Sequence, residues 1–124
     1  MSIEVNKAIV RRWSDDLWSW NGSVWTLRCT GCTGVPRDSV ALGPDPPGGR
    51  LVATGGYTGT AELAGTWVSD GSTLVLEDDT YPPSRDNSGI VYDVGRNVLV
   101  LYGGNGDSCG GSNCADTYEY LLSH

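Results

Sequence analysis

The chain has 124 residues, with 15 acidic against 8 basic side chains and a formal net charge of −7; Lys7 is its single lysine. Without a basic stripe to neutralise phosphates, DNA and RNA are not expected partners. The longest apolar run, "NVLVLY" at 97–102, falls far short of the roughly 18 residues a membrane-spanning helix requires, so no membrane partner is expected either. Eighteen glycines and six prolines point to short strands joined by turns, an all-β class, and the length fits one domain.

The N-terminal stretch "MSIEVNKAIVRRW" has no apolar core behind a basic start and does not read as a secretory signal. Cys29, Cys32, Cys109 and Cys114 nevertheless lie in Gly/Ser/Thr-rich loops, as in exported proteins. Localisation stays open: the cysteines favour export, and a piece of a longer exported chain or a lost leader would reconcile the two signs.

Next comes "DLWSWNGSVW", residues 16–25, with three tryptophans around Asn21-Gly22. Asn-Gly suits a two-residue type I′ hairpin, in which Trp18 would face Trp25 and Trp20 would face Ser23, all three indoles on one side. The segment repeats without a gap at 65–76, "GTWVSDGSTLVL", where Trp67 would face Leu74 across Asp70-Gly71. A large apolar pair recurring in each unit reads as core for Trp18, Trp25 and Trp67. Trp20 (counterpart Ser69) and Trp13 (no counterpart) read instead as a local contact, an interface or a sugar-stacking residue.

Beyond the hairpin the repeat continues at an offset of 48. Arg37-Asp38 falls on Arg85-Asp86, Asp45 on Asp93, Leu51-Val52 on Leu99-Val100, and Gly55-Gly56 on Gly103-Gly104. A third copy starts at "DTYEY", with Tyr118 at the Trp67 position. The units run at about 13–56, 57–104 and, in part, 105–124. Strands are expected at 39–43, 50–54, 65–69 and 72–77, then at 87–93, 97–102 and 116–122.

The order Arg-Asp, a strand ending in Asp, an apolar strand closing in Gly-Gly, a Trp or Tyr strand and a Gly hairpin resembles the kelch repeat of β-propellers, whose period is near fifty. The resemblance covers about 13–122 and implies a four-stranded blade per unit. Propellers typically hold about four to eight blades. This chain holds the strands of little more than two, a partial propeller that is a fragment, a capped half, or a ring completed by oligomerisation; a homo-oligomer is favoured. The segment "SIEVNKAIV", 2–10, is expected to supply the outer strand that the third unit lacks, beside 116–122 within the chain or across a subunit boundary.

Kelch-like connectivity brings the longer loops, 28–37, 57–65, 77–85 and 105–115, to one face, the expected binding surface. With the hairpin indole, the ligand-binding candidates are Trp20, Arg37, Tyr57, Tyr81, Arg85 and Asn105. For Arg37-Asp38 and Arg85-Asp86 the plainer role is bonding to backbone groups of a neighbouring blade, and the sharper one is lining a polar axial pocket.

Two local disulfides, Cys29 with Cys32 and Cys109 with Cys114, are the leading reading of the cysteines, ahead of pairing between loops or free thiols. A four-thiolate zinc site is disfavoured, since the pairs belong to different units. Glu77, Asp78, Asp79 and Asp107 show no calcium-loop spacing and read as solvated acids. No metal or cofactor is expected.

His124 is the sole histidine, which removes the copper site of galactose-oxidase-type kelch relatives as well as Ser/His/Asp and Cys/His catalysis. The expected function is therefore noncatalytic: an interaction module that binds a protein partner or assembles with its own copies. The alternative is a small carbohydrate-binding lectin built from two-bladed chains.

Overall fold

A computed structural model describes residues 2–4, 15–110 and 113–122. Among these residues there are ten strands, no α-helix and one 3-10 turn, Asp107–Cys109. The all-β class is thus realised, as three antiparallel sheets. The first joins β1 (Ser2–Glu4), β2 (Leu17–Trp20) and β3 (Trp25–Cys29) in that order. The second runs β4 (Ala41–Asp45), β5 (Arg50–Thr54), β6 (Thr66–Ser69), β7 (Leu74–Asp78), and the third β8 (Gly89–Asp93), β9 (Val98–Tyr102), β10 (Thr117–Leu121).

The internal repeat survives in three dimensions. β8 and β9 lie 48 residues beyond β4 and β5, while β6 and β7 lie 49 beyond β2 and β3. The register slips at the same place in both outer pairs, between Leu17 and Trp18 and between Thr66 and Trp67. The inner turns share their chemistry. Asp45 accepts from the Gly48 N–H and pairs with Arg50 at 3.0 Å; Asp93 accepts from the Gly95 and Arg96 N–H groups and pairs with Arg96 at 2.8 Å. Each aspartate thereby satisfies turn donors and holds an arginine, Arg50 at the start of the returning strand and Arg96 in the turn before it.

The tryptophan hairpin departs from the expected register. Trp20 pairs with Trp25 and Trp18 with Leu27, because the connection takes four residues, 21–24. The Asn21 side-chain oxygen accepts from the N–H groups of Ser23 and Val24, both at 2.9 Å, and Asp70 does the same for Ser72 and Thr73. These side-chain turns replace the two-residue I′ geometry. The slip is by two in the pairing sum, so every side chain keeps its face and the three indoles still share one side.

Their role as core is corrected. Leu17 and Ser19 are the buried residues of β2, at 0% and 1% exposure; Trp18 and Trp20 are half-buried and Trp25 is 39% exposed. Trp67, half-buried as well, lies under the Arg37 guanidinium. The tryptophan side is the outer face of the first sheet.

The core lies between the second and third sheets. Val52 and Val68 pack with Leu99 and Leu122, flanked by Ile90, Tyr92 and Tyr120. Gly43 allows the close approach: a Cβ there would stand 2.9 Å from both Ile90 and Leu99. On the opposite side of the second sheet, Asp15 and Asp16 share a small crevice with Ala53, Trp67 and Leu74. The within-chain form of the outer strand expected for the third sheet is also corrected: β1 pairs with β2, Ser2 opposite Trp20 and Glu4 opposite Trp18, and β10 has β9 as its one strand partner among the described residues. Most of the 2–10 segment, and Trp13, lie outside the described residues.

Candidate functional site

Single backbone bridges knit the long loops together: Asp38 to Tyr57, Tyr57 to Glu62, Leu63 to Arg85, and Asp86 to Asn105. These bridges set the backbones of Arg37-Asp38, Tyr57, Arg85-Asp86 and Asn105 beside one another. Close packing there demands glycine. At Gly55 (φ +69°) an added Cβ would collide with the Arg85 carbonyl oxygen.

Both arginines are buried and committed to their own chain. Arg37, 7% exposed, donates to the carbonyls of Val35 and Gly55 and to the Thr33 hydroxyl. Thr33 is in turn held by the Asp15 carboxylate, which accepts its N–H and hydroxyl and the Gly34 N–H. Burial lowers the pKa of the Arg37 guanidinium, and Asp15 opposes that shift. Arg85, 1% exposed, donates to the Pro83 and Gly103 carbonyls, lies 5.0 Å above the Tyr118 ring, and grips Asp116 through two bonds of 2.7 and 3.0 Å. The carbonyls are those of the arginine's own sheet and loops rather than of a neighbouring unit. Bidentate bonding to Arg85 holds the Asp116 carboxyl down at about 2 and raises the guanidinium.

Asp116 was not among the sequence candidates. It stands where the preceding unit has Gly65, so the repeat carried no signal for it. Asp86 titrates in the other direction, raised by burial and by the nearby Glu62 and Asp38; its Oδ1 atom is buried without a hydrogen-bond partner.

Both disulfides form locally, Cys29 with Cys32 and Cys109 with Cys114. Asp116 lies near the second pair, but its sulfurs are bonded to each other and offer no thiolate to a metal.

Tyr81, 59% exposed, meets Tyr118 at 6.4 Å between ring centroids, at one side of a cavity of about 170 Å³ between the second and third sheets. Val52, Leu99 and Leu101 line it, with Thr54, whose hydroxyl is buried and unpartnered. Asn105 lines a separate, open depression with Tyr102 and Asn113. Trp20 belongs to neither: its ring packs on Trp25 at 5.3 Å in the first sheet.

The outer faces of the first and third sheets both carry exposed apolar side chains. On the first sheet, opposed pairs put Trp18, Trp20, Trp25 and Leu27 on one side, the last two 39% and 43% exposed. On the third, Val91 and Val100 are opposite each other, Tyr102 and Leu121 point the same way, and Val91, Tyr102 and Leu121 are 61%, 56% and 73% exposed.

Neither a scan of protein-family models nor a search of curated proteins finds a match to this chain. The functional reading therefore stands on the two faces and the loop surface.

Proposed function

We propose that this chain is a noncatalytic interaction module, its sheets kelch-like propeller blades that bind a protein partner or assemble with further copies of the chain. The observation that carries the reading is the exposure of apolar side chains on both outer sheet faces, which isolated soluble chains seldom tolerate. Both arginines being occupied internally argues for a structural rather than a ligand-binding use of that repeated motif. The test is absolute mass in solution across a concentration series. A mass of two or more chains is expected; a single-chain mass throughout, together with no mass shift on addition of any candidate protein, overturns the reading.

A carbohydrate-binding reading is favoured by one feature, the Tyr81–Tyr118 pair beside a cavity holding an unpartnered Thr54 hydroxyl. Aromatic rings and one hydroxyl suit a sugar ring, although the aliphatic lining suits a less polar guest. Glycan-array binding that is lost in Tyr81→Ala supports it; a blank array overturns it.

A further inference from the structure

The two open faces are repeat equivalents of the two halves of an interface that the chain already builds once. Between the second and third sheets, Gly43, Val52 and Val68 on one side meet Ile90, Leu99 and Tyr120 on the other. One unit later, the positions of Gly43, Val52 and Val68 are taken by Val91, Val100 and Glu119, which form the outer face of the third sheet. Moving back by two units, the positions of Tyr118 and Tyr120 are taken by Trp18 and Trp20, on the outer face of the first sheet. Thus one end of the molecule carries the forward half of the contact, and the other end carries the backward half.

We infer that the outer face of the third sheet of one copy docks on the tryptophan face of the first sheet of a second copy, head to tail. This rests on the self-association in the proposed function and adds its partner and polarity. Continuity with the internal interface decides both. A contact that repeats the step from second to third sheet joins unlike faces, so each copy keeps one free end, and the series either closes into a ring or continues as a filament. A symmetric contact would instead join Trp face to Trp face or third-sheet face to third-sheet face, a like-to-like geometry that the core between the second and third sheets does not use.

The test uses two full-length variants, each dead at one face. Trp25→Asp places a charge on the first sheet's outer face, and Val91→Asp on that of the third; both positions are exposed, and circular dichroism checks that each variant folds. Leu27→Asp and Leu121→Asp form a second pair if either fails to fold. Alone, each variant is expected to have its self-affinity lowered about a hundredfold, as for a charge placed at an apolar hot spot, and to run at the mass of one chain. Mixed, they are expected to give a dimer of one copy of each, because Trp25→Asp retains its third-sheet face and Val91→Asp its first-sheet face. Failure of the mixture to associate, or one variant that still dimerises alone, overturns the head-to-tail pairing while leaving self-association in place. A wild-type chain that stays at single-chain mass overturns both.

Discussion

Arg37 and Arg85 occupy the same place in successive units and do the same job, tying loop carbonyls to the strand that follows, but only Arg85 has a carboxylate to grip. That difference sets a pH dependence. Asp116 titrates at about 2 in the fold, below the ordinary value near 3.9 that an unfolded chain shows. A lowered carboxylate pKa contributes stability that is complete above the unfolded value and lost as pH falls through the folded one. The carboxylate is 43% exposed, so solvent screening limits the contribution to about 1 kcal/mol. We expect Asp116→Asn to melt lower than wild type at pH 7 and to converge on it between about pH 4 and pH 2, measured by thermal unfolding across that range. Asp86 has the opposite sign. Its pKa is raised, so the ionised form opposes folding, and that cost grows as pH rises past the unfolded value. Asp86→Asn is expected to raise the melting temperature at pH 7 relative to wild type and to lose that advantage near pH 3. A gain equal at both pH values would assign the effect to packing alone.

At the scale of elements, the strands were readable because two signals coincide: period-two apolar residues and turn dipeptides that recur at 48 or 49 residues. β5 falls at the expected 50–54, and β4, β8 and β9 begin within two residues of their expected starts. What the sequence did not disclose is how many residues each turn consumes. Asn21-Gly22 permits a two-residue turn, yet the Asn21 side chain captures the N–H groups of Ser23 and Val24 and lengthens the connection. That choice depends on strand twist and neighbours, which no local dipeptide encodes. Nor could the sequence say which side of the hairpin faces inward, since Leu17 and Ser19 are less conspicuous than three tryptophans. Burial of the aliphatic layer has its own test. Leu99, 1% exposed between the second and third sheets, is expected to cost about 2–5 kcal/mol when changed to Ala, whereas Leu121, 73% exposed, is expected to cost less than about 0.5 kcal/mol in the isolated chain. Denaturant unfolding at low protein concentration reads both. A similar small loss for the two would mean that the sheets do not pack as described.

Across the whole molecule, the second sheet is the one with four strands among the described residues, with the third sheet on one side and Asp15, Asp16 and Thr33 on the other, while the first and third sheets each turn an apolar face outward. Exposed tryptophan makes that asymmetry measurable without any label. Trp25, 39% exposed, and the half-buried Trp18 and Trp20 crowd one face, whereas Trp67, half-buried too, lies on the second sheet beside Arg37. If a second copy covers the first-sheet face, those three indoles leave water together and their emission moves to the blue, while Trp67 contributes a constant background. We therefore expect the emission maximum to shift with protein concentration, at the same midpoint as the rise in mass. Trp25→Asp should abolish the shift along with the assembly, and Leu121→Ala, nearly neutral in the isolated chain, should move the midpoint to higher concentration because it alters the opposite face of the same contact. A rise in mass with no change in emission would place the association away from the tryptophans, on the loop surface or on the edge of β10 that no strand covers among the described residues.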